Sequence, residues 1–220
     1  MMGVGMQTWN RRRWLRDCSL SVAAFAAAGP SGAQSTRTLL VVGDSLSAEY
    51  GLARGEGWVA LLEQRLGRER LPWRVVNASI SGDTTSGGRS RLPALLQEHK
   101  PAVVVIELGG NDALRGLPIA STEANLQAMT RASKAAGARV LLVGMQVPPN
   151  YGRRYTEDFA RTFEAVARSE QAALVPFLLA GIADAADPVA LFQPDRIHPK
   201  AEAHPRMLDN VWPALRGLLR

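Results

Sequence analysis

Thr38-Leu-Leu-Val-Val-Gly-Asp-Ser45-Leu-Ser-Ala48 is the stretch that decides the fold. A short aliphatic run stops at Gly43, and a serine follows two residues later. Such a run, without polar alternation, reads as a parallel strand buried on both faces. With a helix-type segment after it, the strand delivers the Ser45 hydroxyl to the carboxyl edge of a sheet, where open α/β folds place their ligands. Taken alone, Gly43-Asp44-Ser45 is also ordinary turn and N-cap vocabulary. Three later stretches tip the balance.

Outward from this strand the pattern repeats. Further aliphatic runs span Arg74–Asn77, Val103–Leu108, Val140–Val143 and Leu174–Phe177. Between them lie helical periodicities: Val59, Leu62 and Leu66 before a stop at Gly67; Leu92, Leu95 and Leu96 around Pro93, which suits a first helical turn; Leu126 and Met129 before Gly137. Tyr155, Phe159, Phe163 and Val166 form the clearest apolar stripe, and Leu208, Val211, Leu215 and Leu218 the last, shortened or bent by Pro205 and Pro213. Strands alternating with helices at this spacing predict right-handed crossovers covering both faces of a parallel sheet. The expected fold is α/β: a three-layer α/β/α sandwich with a flavodoxin-like, five-stranded parallel sheet.

The 220 residues, 46% of them apolar, suffice for one domain with a substantial core. Residues 1–33 stand apart. Arg11, Arg12, Arg13 and Arg16 precede an apolar, small-residue run from Cys18 to Ala28, with Ala26-Ala27-Ala28 or Ser31-Gly32-Ala33 as a cleavage site. That is the layout of a signal peptide, and eleven residues fall well short of the ~20 that span a bilayer. Asn10-Arg-Arg-Arg-Trp-Leu-Arg16 also resembles a twin-arginine export signal. The expectation is a cleaved signal peptide over 1–33, a single domain over 34–220, and a periplasmic or secreted product with no stable membrane anchor. Cys18, the sole cysteine, would leave with the signal, which excludes cysteine catalysis and cysteine metal sites. Without residues 1–33 the net charge falls from +6 to about +3, from dispersed residues, so a nucleic-acid partner is rejected.

The chemistry-bearing residues cluster where strands end. After the second strand comes Asn77-Ala-Ser-Ile-Ser-Gly82-Asp83, with Gly82 free to turn its N–H toward a ligand. The third strand ends in Glu107-Leu-Gly-Gly-Asn111-Asp112, and Asp195-Arg-Ile-His198-Pro199 precedes the last helix. Doubly wound topology brings these loops to one rim. There His198 serves as base for Ser45, and Asp195 fixes the imidazole tautomer. The N–H groups of Ser45 and Gly82 with the Asn111 amide form a candidate oxyanion hole. His99 reads as a helix C-terminal residue, His204 as a helix-surface residue, and Arg153 and Arg154 as solvated. No histidine spacing indicates a metal site, and no metal or other cofactor is expected.

Gly43-Asp-Ser-Leu-Ser47, Gly82, Gly110-Asn111-Asp112 and Asp195-x-x-His198 resemble the four blocks of the SGNH (GDSL) hydrolases. Arg91-Leu-Pro-Ala-Leu-Leu96 and Pro149-Asn-Tyr-Gly-Arg-Arg-Tyr155 extend the likeness to the subgroup of periplasmic multifunctional thioesterase I/protease I/lysophospholipase L1 and arylesterases, over roughly Thr38 to Leu215. The resemblance implies a serine esterase acting on small-molecule or lipid esters and thioesters, with Ser45 as nucleophile, Asp195 and His198 as its partners, and Gly82 and Asn111 in the oxyanion hole. Arg196 departs from the family, which commonly has glycine there. Leu114, Ile119, Pro149 and Tyr151 are candidates to line an acyl groove, and a monomer is expected. Three alternatives stand beside this reading: a carbohydrate acetylesterase, a non-catalytic lipid or carbohydrate binder on the same scaffold, and a flavodoxin-like nucleotide binder. The last lacks a glycine-rich phosphate loop after the first strand.

Overall fold

A computed structural model describes residues 1–3 and 35–220. The basic and apolar segments assigned to export, with Cys18, lie outside the described residues. Gln34–Arg220 forms one compact unit. Five parallel strands run β1 Arg37–Gly43, β2 Trp73–Asn77, β3 Val103–Glu107, β4 Arg139–Val143 and β5 Ala173–Val175, in the order β2-β1-β3-β4-β5. Leu39 to Val42 and Val103 to Ile106 are fully buried, because helices cover both faces.

The helices are α1 Trp58–Arg68, α2 Thr85–His99, α3 Gly110–Leu114, α4 Ile119–Ala135, α5 Arg153–Ser169 and α6 His204–Leu218. α1 and α6 pack together on one face, and α2, α4 and α5 on the other. The strand order reverses at β1, whose neighbours are β2 and β3. Gly43, the last residue of β1, stands in register with Glu107, the last of β3. The switch point of the sheet therefore lies beside Ser45.

Several boundaries differ from the sequence-based expectation. Ser45 to Gly51 is a run of turns, not a helix. α2 begins at Thr85, eight residues before Pro93, because the Thr84 hydroxyl caps it by accepting from the Gly87 N–H (3.3 Å). Pro93 thus sits inside the helix. Gly67 lies within α1, and the chain turns away at Arg70, with φ 53°. β5 ends at Val175 because Pro176 has no N–H to extend the ladder, which frees Phe177 for the rim. Pro205 occupies the first turn of α6 and starts that helix rather than shortening it.

His204 is the clearest reversal. It is 2% exposed, not a surface residue, and its Nδ1 accepts the Trp58 N–H at 3.0 Å. α1 has no side-chain cap of its own at Gly57, so the first residue of α6 supplies one across the interface. His99 is the last residue of α2, and Arg153 and Arg154 are almost fully exposed.

Candidate active site

Gly43 ends β1 in a space that admits no side chain: a Cβ there would come within 2.8 Å of Ser47 Oγ. Beyond it the chain turns sharply, with Ser47 and Ala48 both donating to the Asp44 carbonyl (3.2 and 3.0 Å). This turn lifts Ser45 onto the rim, where it is half-buried.

Asp195 and His198 arrive on a separate hairpin, whose base is closed by an antiparallel bridge between Phe192 and Pro199. Asp195 Oδ1 accepts from the Ile197 and His198 N–H groups (2.9 and 3.1 Å), while Oδ2 lies 2.7 Å from His198 Nδ1. Burial raises the Asp195 pKa, but these three hydrogen bonds outweigh it and hold the carboxyl down at about 2. The ionised carboxylate only accepts, so Nδ1 carries the proton. Nε2 is then the acceptor for Ser45 Oγ, 2.8 Å away. The Tyr50 ring lies 4.3 Å from the imidazole centroid, tilted by 37°. Gln193 ties this hairpin to the β1 loop, its Nε2 donating to the Tyr50 carbonyl (3.0 Å) and the Pro199 carbonyl (3.1 Å).

Asn111 and Gly82 complete the rim. Asn111, in the short α3, donates one Nδ2 hydrogen to Asp44 Oδ2 (3.0 Å), leaving the second hydrogen for a ligand. Gly82 adopts φ 78°, a left-handed conformation that suits glycine, and its carbonyl accepts from Arg115 (2.8 Å). Neither the Ser45 nor the Gly82 N–H has an acceptor among the described residues. Arg91 of α2 fastens this corner, bonding Asp83 (2.8 Å), the Ala78 carbonyl and the Gly43 carbonyl (3.4 Å).

Two carboxyl groups lie beneath the floor. Burial pushes the Asp44 pKa up to about 6, against the lowering effect of the Leu46 N–H and the Asn111 amide. Glu107 is fully buried and is raised well above the ordinary range, first by burial and then by Asp44. It accepts from Ser47 Oγ (2.7 Å), which in turn accepts from Trp58 Nε1 (3.2 Å). Asp112, also buried, accepts from the Thr85 N–H (2.9 Å), the Thr85 hydroxyl and Thr122 Oγ1 (3.3 Å), joining α2, α3 and α4.

Ser45 and His198 open into a cleft of about 560 Å³, within the range of small-molecule sites. Its walls include Leu114, Met145, Val147, Phe177, Leu179 and Val189. Of the four residues proposed for an acyl groove, Leu114 lines the cleft. Ile119 is half-buried against the core in the first turn of α4. Tyr151 lies outside the cleft, 6.3 Å from Tyr155 in a stacked pair. Pro149 sits in the 3-10 turn Pro149–Tyr151, its side chain outside the described residues. Met145, Phe177 and Leu179 were missed because their aliphatic and aromatic character is indistinguishable from core in sequence. Among the described residues no group of three His, Cys, Asp or Glu stands ready to hold a metal ion.

A doubly wound sheet with a hydrogen-bonded Ser–His–Asp chain at its switch point defines a hydrolase-type serine site. Residues 41–206 match the GDSL-like Lipase/Acylhydrolase family, and the chain belongs to that family. It is 57% identical over 183 residues to esterase TesA of Pseudomonas aeruginosa, covering 83% of this chain and 90% of that protein. It is 42% identical over 186 residues to thioesterase 1/protease 1/lysophospholipase L1 of Escherichia coli K12, covering 83% and 85%. A crystal structure of TesA superposes with a TM-score of 0.80, covering 83% of this chain and 99% of that one. The protein is a serine ester hydrolase.

Proposed function

We propose that Ser45 is the nucleophile of an acyl-enzyme mechanism on carboxylic esters and thioesters carrying medium or long acyl chains. The observation that carries this reading is the chain Asp195–His198–Ser45, with contacts of 2.7 and 2.8 Å, at the floor of an apolar cleft. The Ser45 proton passes to His198 Nε2 as Oγ attacks the carbonyl carbon. The resulting oxyanion accepts from the Ser45 and Gly82 N–H groups and from the free Asn111 Nδ2 hydrogen, one such donor being worth ~3 kcal/mol. Collapse expels the alcohol or thiol, protonated by His198, and leaves the acyl group on Oγ. A water deprotonated by the same nitrogen attacks the acyl carbonyl, and the acid departs with Ser45 regenerated.

Residues 1–33 are proposed as an export signal, on the strength of the arginines before a short apolar run, which puts the mature chain in the periplasm or outside the cell. Among the described residues no helix is long and apolar enough to cross a membrane. The mature enzyme is proposed to act as a monomer.

The decisive experiment is a series of p-nitrophenyl esters from acetate to palmitate with Ser45→Ala alongside, together with fluorophosphonate labelling of Ser45. Activity peaking at medium or long chains and lost at least a thousandfold in the variant is the expected result. A peak at acetate would move the assignment to an acetylesterase. Labelling absent from Ser45 would sink the nucleophile.

A further inference from the structure

Arg196 stands in the cleft wall between Asp195 and Ile197, one residue from each end of the hairpin turn that presents His198. Its backbone adopts φ 58°, a left-handed conformation costly for any residue with a Cβ, and its N–H donates to the Gln193 carbonyl (2.9 Å). The side chain is exposed, and the guanidinium has no hydrogen-bond or ion-pair partner among the described residues. Asp195 does not engage it, since both carboxylate oxygens are taken by the Ile197 and His198 N–H groups and by Nδ1. The left-handed backbone is held by the Arg196 N–H bond to Gln193, and the guanidinium itself contributes no contact to the described chain. Of the two carboxyl groups on the cleft wall, Asp184 accepts from the Gly181 N–H (2.5 Å) and Asp44 from the Asn111 amide (3.0 Å).

Resting on the reading of Ser45 as the nucleophile, we propose that Arg196 is an anion-binding subsite that selects esters bearing a phosphate on the leaving-group side. The apolar walls take the acyl chain, so a charged group of the substrate falls at the mouth, beside the hairpin. A planar guanidinium there reads a phosphate through two parallel N–H donors, which a neutral leaving group cannot match. The phosphate comes either from a lysophospholipid headgroup or from the nucleotide portion of an acyl-CoA.

Three substrates with one acyl chain test this: monolauroylglycerol, lauroyl glycerophosphate and lauroyl-CoA, assayed on the full chain and on Arg196→Gln and Arg196→Gly. The readout is the kcat/KM ratio of each phosphate-bearing substrate to the neutral one. In both variants that ratio falls about five- to tenfold, and in the parent protein it falls with added salt. Arg196→Gly relieves the backbone and Arg196→Gln does not, so a shared loss is due to charge. A fall for the glycerophosphate alone assigns the headgroup as source; a fall for the CoA ester alone assigns the nucleotide. Ratios unchanged in both variants overturn the subsite. Binding of lauroyl glycerophosphate to Ser45→Ala, with and without Arg196→Gln, separates the two claims. Binding weakened about five- to tenfold by Arg196→Gln, without turnover in the parent protein, keeps the subsite and removes the hydrolase mechanism.

Discussion

In the proposed mechanism Ser45 is reactive only so far as His198 is held, and the imidazole is held on three sides. Asp195 fixes Nδ1, Ser45 engages Nε2, and Tyr50 covers one face of the ring at 4.3 Å. The Tyr50 ring is half exposed, so its contact with His198 adds little burial. Its π-face instead favours the imidazolium that the proposed attack by Ser45 would form, an effect of roughly 0.5–1 kcal/mol at an exposed site. Tyr50→Leu is therefore expected to lower kcat about two- to fivefold with little change in KM, and Tyr50→Phe to restore it. Steady-state kinetics on a short soluble ester decides the matter, and an unchanged kcat in Tyr50→Leu would deny the ring its part. Tyr50 was not legible in sequence as a neighbour of His198. The two lie 148 positions apart, and their loops are brought together by contacts distant in sequence, the Gln193 bridge to the Tyr50 carbonyl and the His198–Ser45 hydrogen bond.

Among the elements, the alternation of aliphatic runs and helical stripes was readable because parallel strands buried on two faces leave little else for their sequence to be. Asp195 and His198 were readable too, since three residues on one turn put a carboxylate within reach of an imidazole. The start of α2 was not: Thr84, Ser86, Gly87 and Gly88 look like loop, and the acceptor for the Thr85 N–H comes from Asp112, 27 residues later. His204 hid for the same reason, since its partner is the Trp58 N–H of α1. His204→Ala leaves that buried donor unsatisfied and opens a cavity, at an expected cost of about 2–4 kcal/mol in urea denaturation. Activity of the remaining folded fraction on short esters is retained. A loss below 0.5 kcal/mol would mean the cap contributes nothing of the kind described.

At the scale of the molecule, the buried Asp44 and the hydrogen-bonded Asp195 make stability depend on pH in opposing ways. Asp44 titrates near 3.8 when unfolded and near 6 when folded, so between these values the folded chain holds the extra proton. Its contribution to stability is thus complete below about 4 and lost as pH rises through 6. Asp195 runs the other way: folding depresses it to about 2, so its contribution holds above 3.8 and is lost as pH falls toward 2. Asp44→Asn is expected to gain on the parent protein by roughly 2 kcal/mol between pH 4 and 7. Parallel urea denaturations across that range test it, and a constant difference would show that Asp44 does not titrate on folding.

The strand order also separates two inheritances. Ser45 and Asn111 hang from the ends of the adjacent strands β1 and β3, with His198 on its own stapled hairpin. Met145, Val147, Phe177 and Leu179 hang from β4 and β5, toward the far edge. Drift in segments 145–148 and 177–189 can reshape which acyl chains fit while every hydrogen bond of the Ser45 chain stays as it is. A lineage built on this scaffold can change its diet without reinventing its chemistry.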